Sequence, residues 1–169
     1  MSYCDYPRWQ DVVKDKHLIV DSDVFISLFS FRAEDVFDEL KRLGVTLAYI
    51  HPVYLELMNT DTAQEKLRRN ALLSDYEFIE LPLTVEEIKN AGLIQKSLPI
   101  GLKGRPSPTD YYLGGFLARY NNGSTYLLTS NVKDFPQPIF TRETFVPITN
   151  QTDFKAIWVV GIDSTKLIQ

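Results

Sequence analysis

The chain has 169 residues, of which 44% are hydrophobic and 24% are charged, a composition that excludes a disordered segment and favours a globular protein. Twenty-two acidic residues against 18 basic ones leave a formal net charge of −4, which excludes a protein held on nucleic acid by overall positive charge. An enzyme that visits nucleic acid remains compatible, because a few arginine and lysine side chains suffice to bind phosphates. We therefore expect one domain over residues 1–169 with a single hydrophobic core.

The chain contains one cysteine, Cys4, and no long apolar segment. A single cysteine forms neither an intramolecular disulfide nor a multi-cysteine metal site, which favours a reducing compartment. No run reaches about 18 apolar residues, and the first residues lack the apolar run of a signal peptide. These features predict a cytoplasmic protein without a membrane partner.

Short apolar runs alternate with longer amphipathic segments along the chain. The predicted strands are 17–20, 45–50, 78–81, 126–129, 145–148 and 156–160, of which 145–148 is expected at an edge. The predicted helices are 24–31, 33–43, 52–58, one from Thr60 or Asp61 to about Leu73, one capped by Thr84 that runs to about Ser97, and one from Ser107 to about Tyr120. Residues 98–108 are predicted to form a loop with a basic tip. This alternation predicts an α/β fold, a three-layer α/β/α sandwich around a mostly parallel sheet.

Polar side chains follow several of the predicted strands. Asp21 comes directly after the first strand, Glu56 lies on the helix after the second, and Asp110 begins the helix that leads into the fourth. Asn131 and Asp134 follow the fourth strand. Because the carboxyl ends of parallel strands meet at one edge of a sheet, we expect these side chains to lie close together. Oxygen ligands with no cysteine or histidine cluster nearby select Mg²⁺ or Mn²⁺, so the pattern predicts metal-assisted phosphoryl hydrolysis.

Each of these residues also has a purely structural interpretation. Asp21 follows a strand and suits the N-cap of the next helix. Asp110 lies three residues after Ser107 and suits a capping box, although a capping role would still direct its carboxylate to the same edge. Glu56 suits a solvated helix face, and Asn131 and Asp134 suit an ordinary turn. The functional hypothesis therefore depends on the joint placement of the residues.

Four short motifs follow one another in chain order. They are Leu18–Phe25, Pro52–Leu57, Ser107–Gly115 and Leu127–Phe135. Together they resemble the motifs of the PIN-domain ribonucleases, especially the toxin nucleases of VapC type, over roughly residues 17–149. The resemblance implies a PIN-like fold with short terminal extensions, in which Asp21, Glu56 and Asp110 are the acidic metal ligands. Asn131 takes the place of a fourth, more variable acid of the family.

The resemblance implies an endoribonuclease that uses Mg²⁺ or Mn²⁺ to hydrolyse RNA phosphodiester bonds. Its catalytic residues would be Asp21, Glu56, Asp110 and Asn131. Supporting roles fall to further polar residues, namely Asp23, Thr129, Ser130 and Asp134. Phosphate contacts are expected from basic residues and base contacts from aromatic ones, namely Lys103, Arg105, Arg119, Lys133, Tyr111 and Tyr112.

The resemblance also implies protein partners. A toxin nuclease has an antitoxin whose tail occupies the acidic site, and the family commonly forms homodimers. Gly114 and Gly115 on an aromatic-rich helix would allow close packing at a dimer interface. Alternatively, these glycines let their helix lie near the sheet.

Two other functions fit parts of the sequence. Asp21 and Asp23 also resemble the Asp-x-Asp opening of the haloacid-dehalogenase-like phosphatases, with Asp21 as covalent nucleophile and Asp23 as general acid. That family needs a later lysine and a paired acidic motif, for which only Asp163 is available, and it leaves Glu56 and Asp110 without a role. The third hypothesis is a PIN-like fold retained as a binding module without catalysis.

Overall fold

A computed structural model of the chain describes residues 6–98 and 106–168. Within these ranges the strands are β1 His17–Val20, β2 Thr46–Ile50, β3 Ile79–Leu81, β4 Thr125–Thr129, β5 Phe140–Thr149 and β6 Phe154–Ile162. The α-helices of the described residues are α1 Trp9–Val13, α2 Ser22–Phe31, α3 Asp35–Arg42, α4 His51–Met58, α5 Ala63–Asp75, α6 Val85–Ser97 and α7 Pro108–Arg119. The α/β class predicted from the sequence is confirmed.

The six strands form one sheet in the order β3-β2-β1-β4-β6-β5. The first four strands in this order are mutually parallel, whereas β6 is antiparallel to both of its neighbours. The sheet is therefore mixed, where a mostly parallel sheet was expected. The reason is the turn at residues 150–153, in which the Asn150 side chain accepts hydrogen bonds from the backbone of Thr152 and Asp153. A turn this short joins only antiparallel strands.

Helices contact both faces of the sheet. On one face, the ring of Tyr49 in β2 lies 6.0 Å from that of Tyr54 in α4 and 6.3 Å from that of Phe78. On the other face, Ala48 lines the same cavity as Tyr120, the residue that directly follows α7. Because successive residues of a strand point to opposite faces, α4 and the end of α7 lie on opposite sides of β2.

The largest differences from the predicted strands are near the carboxyl-terminal end of the chain. The strand predicted at 145–148 is part of the ten-residue edge strand β5, and the one predicted at 156–160 is part of the nine-residue β6. The beginning of β5 has no clean alternation of polar and apolar residues, since its register with β6 shifts between Arg142 and Thr144. Because of this shift, the first half of β5 lacks the alternation of period two from which a strand is predicted.

Two helix predictions also need correction. The cap of α5 is Thr62, whose side chain accepts a hydrogen bond from the Glu65 backbone, and not Thr60 or Asp61. Helix α1 was not predicted, because its five residues are too few to show a helical repeat.

Gly114 and Gly115 belong to α7 and are buried where this helix packs against α6 and β5. A Cβ atom at Gly115 would overlap the carbonyl oxygen of Glu87 in α6, and one at Gly114 would lie 2.8 Å from Cδ1 of Ile94 and 3.0 Å from the ring of Phe140. The glycines therefore allow α7 to pack closely within the chain. Of the two interpretations of these glycines, close packing within the chain agrees with the contacts, and the homodimer stays a prediction without their support.

Candidate active site

Five carboxyl groups lie at the carboxyl edge of the parallel strands. They belong to Asp21, Asp23, Glu56, Asp110 and Asp134, and we call them the acidic cluster. Asp21 follows β1, and Asp23 lies in the first turn of α2. Glu56 lies on α4, which begins directly after β2, and Asp110 lies in the first turn of α7. Asp134 ends a short 3-10 helix that follows β4.

Asp21 is the most buried member of the acidic cluster, with 4% of its surface exposed. Its Oδ2 accepts a hydrogen bond of 2.8 Å from Oγ1 of Thr129. Burial raises the pKa of Asp21 to about 7, and the charges of Asp23 and Asp110 add to this rise, while the hydrogen bond from Thr129 opposes it. Asp21 occupies the N-cap position of α2, but its side chain makes no capping hydrogen bond. Capping therefore does not explain this carboxyl group.

The carboxylate of Glu56 is held by two hydroxyl groups. Oγ of Ser22 donates to Oε2 over 2.7 Å, and Oγ1 of Thr109 donates to Oε1 over 2.5 Å. Ser22 directly follows Asp21, and Thr109 directly precedes Asp110. Glu56 thereby joins the beginnings of α2 and α7, next to the other two predicted ligands. Sequence reasoning missed both hydroxyl residues, although their position beside the predicted acids was a usable signal.

Asp110 forms a capping box with Ser107. The backbone N–H of Ser107 donates to Oδ2 of Asp110 over 2.6 Å, and the backbone N–H of Asp110 donates to Oγ of Ser107 over 3.2 Å. Burial raises the pKa of Asp110, as do the charges of Glu56 and Asp23, against the hydrogen bonds from Ser107. The cap fixes the carboxyl group at the edge, so the structural and the functional interpretations of Asp110 are both compatible with its position.

Two hydroxyl residues at the end of β4 support the cluster. The buried Thr129 hydroxyl donates to Asp21 and accepts a hydrogen bond of 3.1 Å from the backbone N–H of Asn131. Oγ of Ser130 lies 3.3 Å from the backbone oxygen of Asp23, to which it donates. Thr129 therefore holds the carboxyl group of Asp21, and Ser130 holds the backbone at Asp23.

Asn131 reaches the cluster through its neighbour. Its side-chain nitrogen donates to Oδ2 of Asp134 over 2.5 Å. The pKa of Asp134 is raised by burial and by the charges of Asp110 and Asp23. The negative charge after β4 therefore belongs to Asp134, and Asn131 holds the carboxylate of Asp134 in place.

Within the acidic cluster, the charges of neighbouring carboxylates help to raise the pKa values of four aspartates, namely Asp21, Asp23, Asp110 and Asp134. The pKa of Asp23 is raised by burial and by Glu56, although Lys155 opposes the rise. Oxygen donors and uncompensated negative charge are the chemistry that binds Mg²⁺ or Mn²⁺. Across residues 6–98 and 106–168, no three His, Cys, Asp or Glu side chains are already arranged to hold a metal ion. The fit to a divalent ion therefore depends on the donor set and not on a preformed geometry.

Arg119, a predicted phosphate contact, is engaged elsewhere. Its guanidinium forms an ion pair with the buried carboxylate of Glu87 and a hydrogen bond of 3.1 Å with Thr84. It ends α7, whereas Asp110 lies in the first turn, so the two residues are separated by about 13 Å along the helix. The structure does not bring Arg119 together with the acidic cluster.

The remaining predicted RNA contacts differ in position. Lys133 is exposed and lies one residue before Asp134. Tyr111 and Tyr112 line a cavity of about 470 Å³ between α6 and α7, beside the first turn of α7. Lys103 and Arg105 lie outside the described residues.

Lys155 is a basic residue at this edge that sequence reasoning did not identify. Its ammonium group donates a hydrogen bond of 2.6 Å to Oγ of Ser27, one turn after Asp23 in α2. It lies beyond residues 17–149, which the resemblance covers, so no motif pointed to it.

Comparison with known proteins adds no family to these observations. No protein-family model matches the sequence, and a search of curated proteins finds no match. In the described part of the chain, none of the helices has the length and apolar character needed to cross a membrane. The assignment of a function therefore rests on the acidic cluster and its surroundings.

Proposed function

We propose that the protein is a metal-dependent endoribonuclease that hydrolyses RNA phosphodiester bonds with Mg²⁺ or Mn²⁺. The observation that carries the proposal is the convergence of Asp21, Glu56 and Asp110 from three distant parts of the chain on one sheet edge, in a cluster whose negative charge no salt bridge offsets within the described residues. In this proposal the fold is a three-layer α/β/α sandwich of PIN type. The protein acts in the cytoplasm as the toxin of a toxin–antitoxin pair.

The residues of the chain divide into ligands and groups that orient them. Asp21, Glu56 and Asp110 would hold the ion. When bound, a divalent ion lowers the pKa of a water molecule and stabilises negative charge on a phosphodiester. Thr129 fixes the carboxyl group of Asp21, and the Thr109 hydroxyl fixes that of Glu56. These hydrogen bonds hold the donor oxygens at the edge before substrate arrives.

The geometry favours this activity over a phosphatase with Asp21 as nucleophile. Such a phosphatase uses Asp21 and Asp23 and gives Glu56 and Asp110 no role. The structure holds Glu56 between the beginnings of α2 and α7, through Ser22 beside Asp21 and Thr109 beside Asp110. A metal site accounts for all three acids.

The direct test is cleavage of labelled single-stranded RNAs by the purified protein with Mg²⁺ or Mn²⁺. We expect cleavage with either metal and none in EDTA. The Asp110→Asn variant should cleave more than about a hundredfold more slowly, since groups that only orient a metal ligand already contribute 10–100-fold. An asparagine still offers an oxygen to the Ser107 backbone, so the cap of α7 and the melting temperature should change little.

Three other outcomes would contradict the proposal. Full activity in EDTA would exclude a metal-dependent mechanism. Hydrolysis of a small phosphomonoester with a trapped aspartyl-phosphate at Asp21 would identify the phosphatase. Metal-independent RNA binding without cleavage would identify a binding module.

The hydroxyl of Thr109 offers a second, subtler test. Thr109→Val keeps the shape of the side chain but removes the donor to Oε1 of Glu56, so the single-turnover cleavage rate should fall about 10–100-fold. Thr109→Ser keeps the donor and should cleave at nearly the rate of the unaltered protein. Equal rates for the valine and serine variants would show that this hydrogen bond has no part in catalysis.

A further inference from the structure

Lys155 reaches the candidate site because of the direction of β6. This strand is antiparallel to β4, so its first residues lie where β4 ends. Thr129, the last residue of β4, pairs with Trp158, and Lys155 lies three residues earlier in β6. A basic residue of the last strand is thereby placed at the same edge as the acidic cluster.

The position of the Lys155 ammonium group is fixed by a hydrogen-bonded hydroxyl. Oγ of Ser27, which is 2% exposed, accepts from Lys155 over 2.6 Å and donates to the backbone oxygen of Asp23 over 2.6 Å. The same hydroxyl oxygen lies 3.1 Å from Oγ of Ser130. Lys155 is therefore tied to α2 through Ser27, close to Ser130 after β4, and its long side chain loses much of its conformational freedom.

The charge of Lys155 is not neutralised by this arrangement. An ammonium group has three N–H donors, and within the described residues Lys155 uses one of them, toward an uncharged oxygen. It forms no salt bridge there with Asp23, yet its charge opposes the rise in the pKa of that carboxyl group. The ammonium group thus presents positive potential and free donors beside the acidic cluster.

We propose that Lys155 binds a phosphate group of the RNA strand next to the scissile bond, an inference that rests on the proposed ribonuclease activity. An acidic cluster in a chain of net charge −4 repels the phosphates of its substrate. A fixed ammonium group at the edge of the cluster offsets that repulsion at one phosphate. Lys155 thereby selects a nucleic acid strand and sets its position relative to Asp21 and Asp110.

The test measures RNA affinity at several salt concentrations with Mn²⁺, in the Asp110→Asn background, where cleavage is slow. Adding Lys155→Gln should weaken binding about three- to tenfold at low salt and reduce the slope of log affinity against log salt by about 0.7, as expected for one lost phosphate contact on a single strand. Lys155→Arg should restore most of the affinity and the slope. Lys16→Gln is the matched control, because Lys16 bonds to Gly123 at the opposite edge of the sheet.

The outcomes separate the inference from the proposed function. If the unaltered protein cuts RNA but Lys155→Gln leaves affinity and salt slope unchanged, or changes them no more than Lys16→Gln does, Lys155 does not bind phosphate. If the glutamine variant loses stability and the arginine variant does not restore the salt slope, Lys155 has a structural role only. If the unaltered protein neither binds nor cuts RNA, the proposed function fails and the inference fails with it.

Discussion

Replacement of Asp21 by asparagine is expected to reduce RNA cleavage more than about a hundredfold and, without divalent cations, to raise the melting temperature. The variant removes a buried negative charge but keeps an oxygen that accepts the hydrogen bond from Thr129. A substitution that merely damaged the fold would lower both activity and stability. The opposite signs of the two effects therefore identify Asp21 as a group kept for function at a cost in stability.

The sign of the stability effect follows from the pKa of Asp21. Burial raises this pKa from 3.8 to about 7 in the folded protein. Between pH 3.8 and about 7 the folded protein keeps a proton on Asp21 that the unfolded chain has released. The free energy of unfolding therefore falls as the pH rises from about 4 to about 7. The loss amounts to at most roughly 4 kcal/mol, and each kcal/mol corresponds to about 2–4 °C in melting temperature.

Thermal unfolding in EDTA at about pH 5 and about pH 8 measures this effect. The gain in melting temperature of Asp21→Asn over the unaltered protein should be about 5 °C or more at the higher pH and less than half of that gain at the lower pH. Mn²⁺ should then stabilise the unaltered protein but not the variant. A lower melting temperature for the variant at about pH 8 in EDTA would overturn the assignment of Asp21 as a strained, uncompensated charge.

Gly115→Ala should lower the free energy of unfolding by about 1–3 kcal/mol. The new methyl group would overlap the carbonyl oxygen of Glu87 and lie 3.0 Å from the backbone nitrogen of Ala91. Both atoms belong to the backbone of α6, which cannot turn aside as a side chain does, so α7 must move. Because α7 carries Thr109 and Asp110, cleavage should also slow.

Gly92→Ala is the matched control for this prediction. Gly92 also lies in a helix, α6, but a Cβ atom there would have no neighbour within 4 Å. The alanine should stabilise the protein by about 0.5–1 kcal/mol through helix propensity alone. Urea denaturation of both variants measures the two changes, and equal stabilities for Gly115→Ala and Gly92→Ala would show that α6 and α7 are not closely packed.

The sequence predicts the site residues that lie after the ends of strands or at the beginning of a helix. Asp21 and Glu56 were identifiable because buried strands are short apolar runs, and a polar residue after such a run lies at the carboxyl edge. Asp110 was identifiable because Ser107 and Pro108 mark the beginning of a helix. The hydroxyls of Ser22 and Thr109 were not, since their contacts with Glu56 depend on how three separate elements approach one another.

The sequence does not predict how the last two strands pair with the rest of the sheet. A buried strand has the same apolar pattern whether its neighbours run parallel or antiparallel, so the pattern of β6 does not show that it lies between β4 and β5. The position of Lys155 follows from that pairing alone. The glycines of α7 illustrate the same limit, because Gly114 and Gly115 suit a contact inside the chain as well as one between chains.

The insertion of β6 between β4 and β5 also sets the order in which the molecule can be built. During synthesis β1, β2, β3 and β4 emerge first, and β5 emerges before the strand that separates it from β4. The sheet can close only after residue 162 has left the ribosome, since Leu127 pairs with Val160 and Phe140 pairs with Ile162. A nascent chain therefore carries all five acids of the acidic cluster before it carries Lys155, and this edge of the sheet is complete only once the final strand is in place.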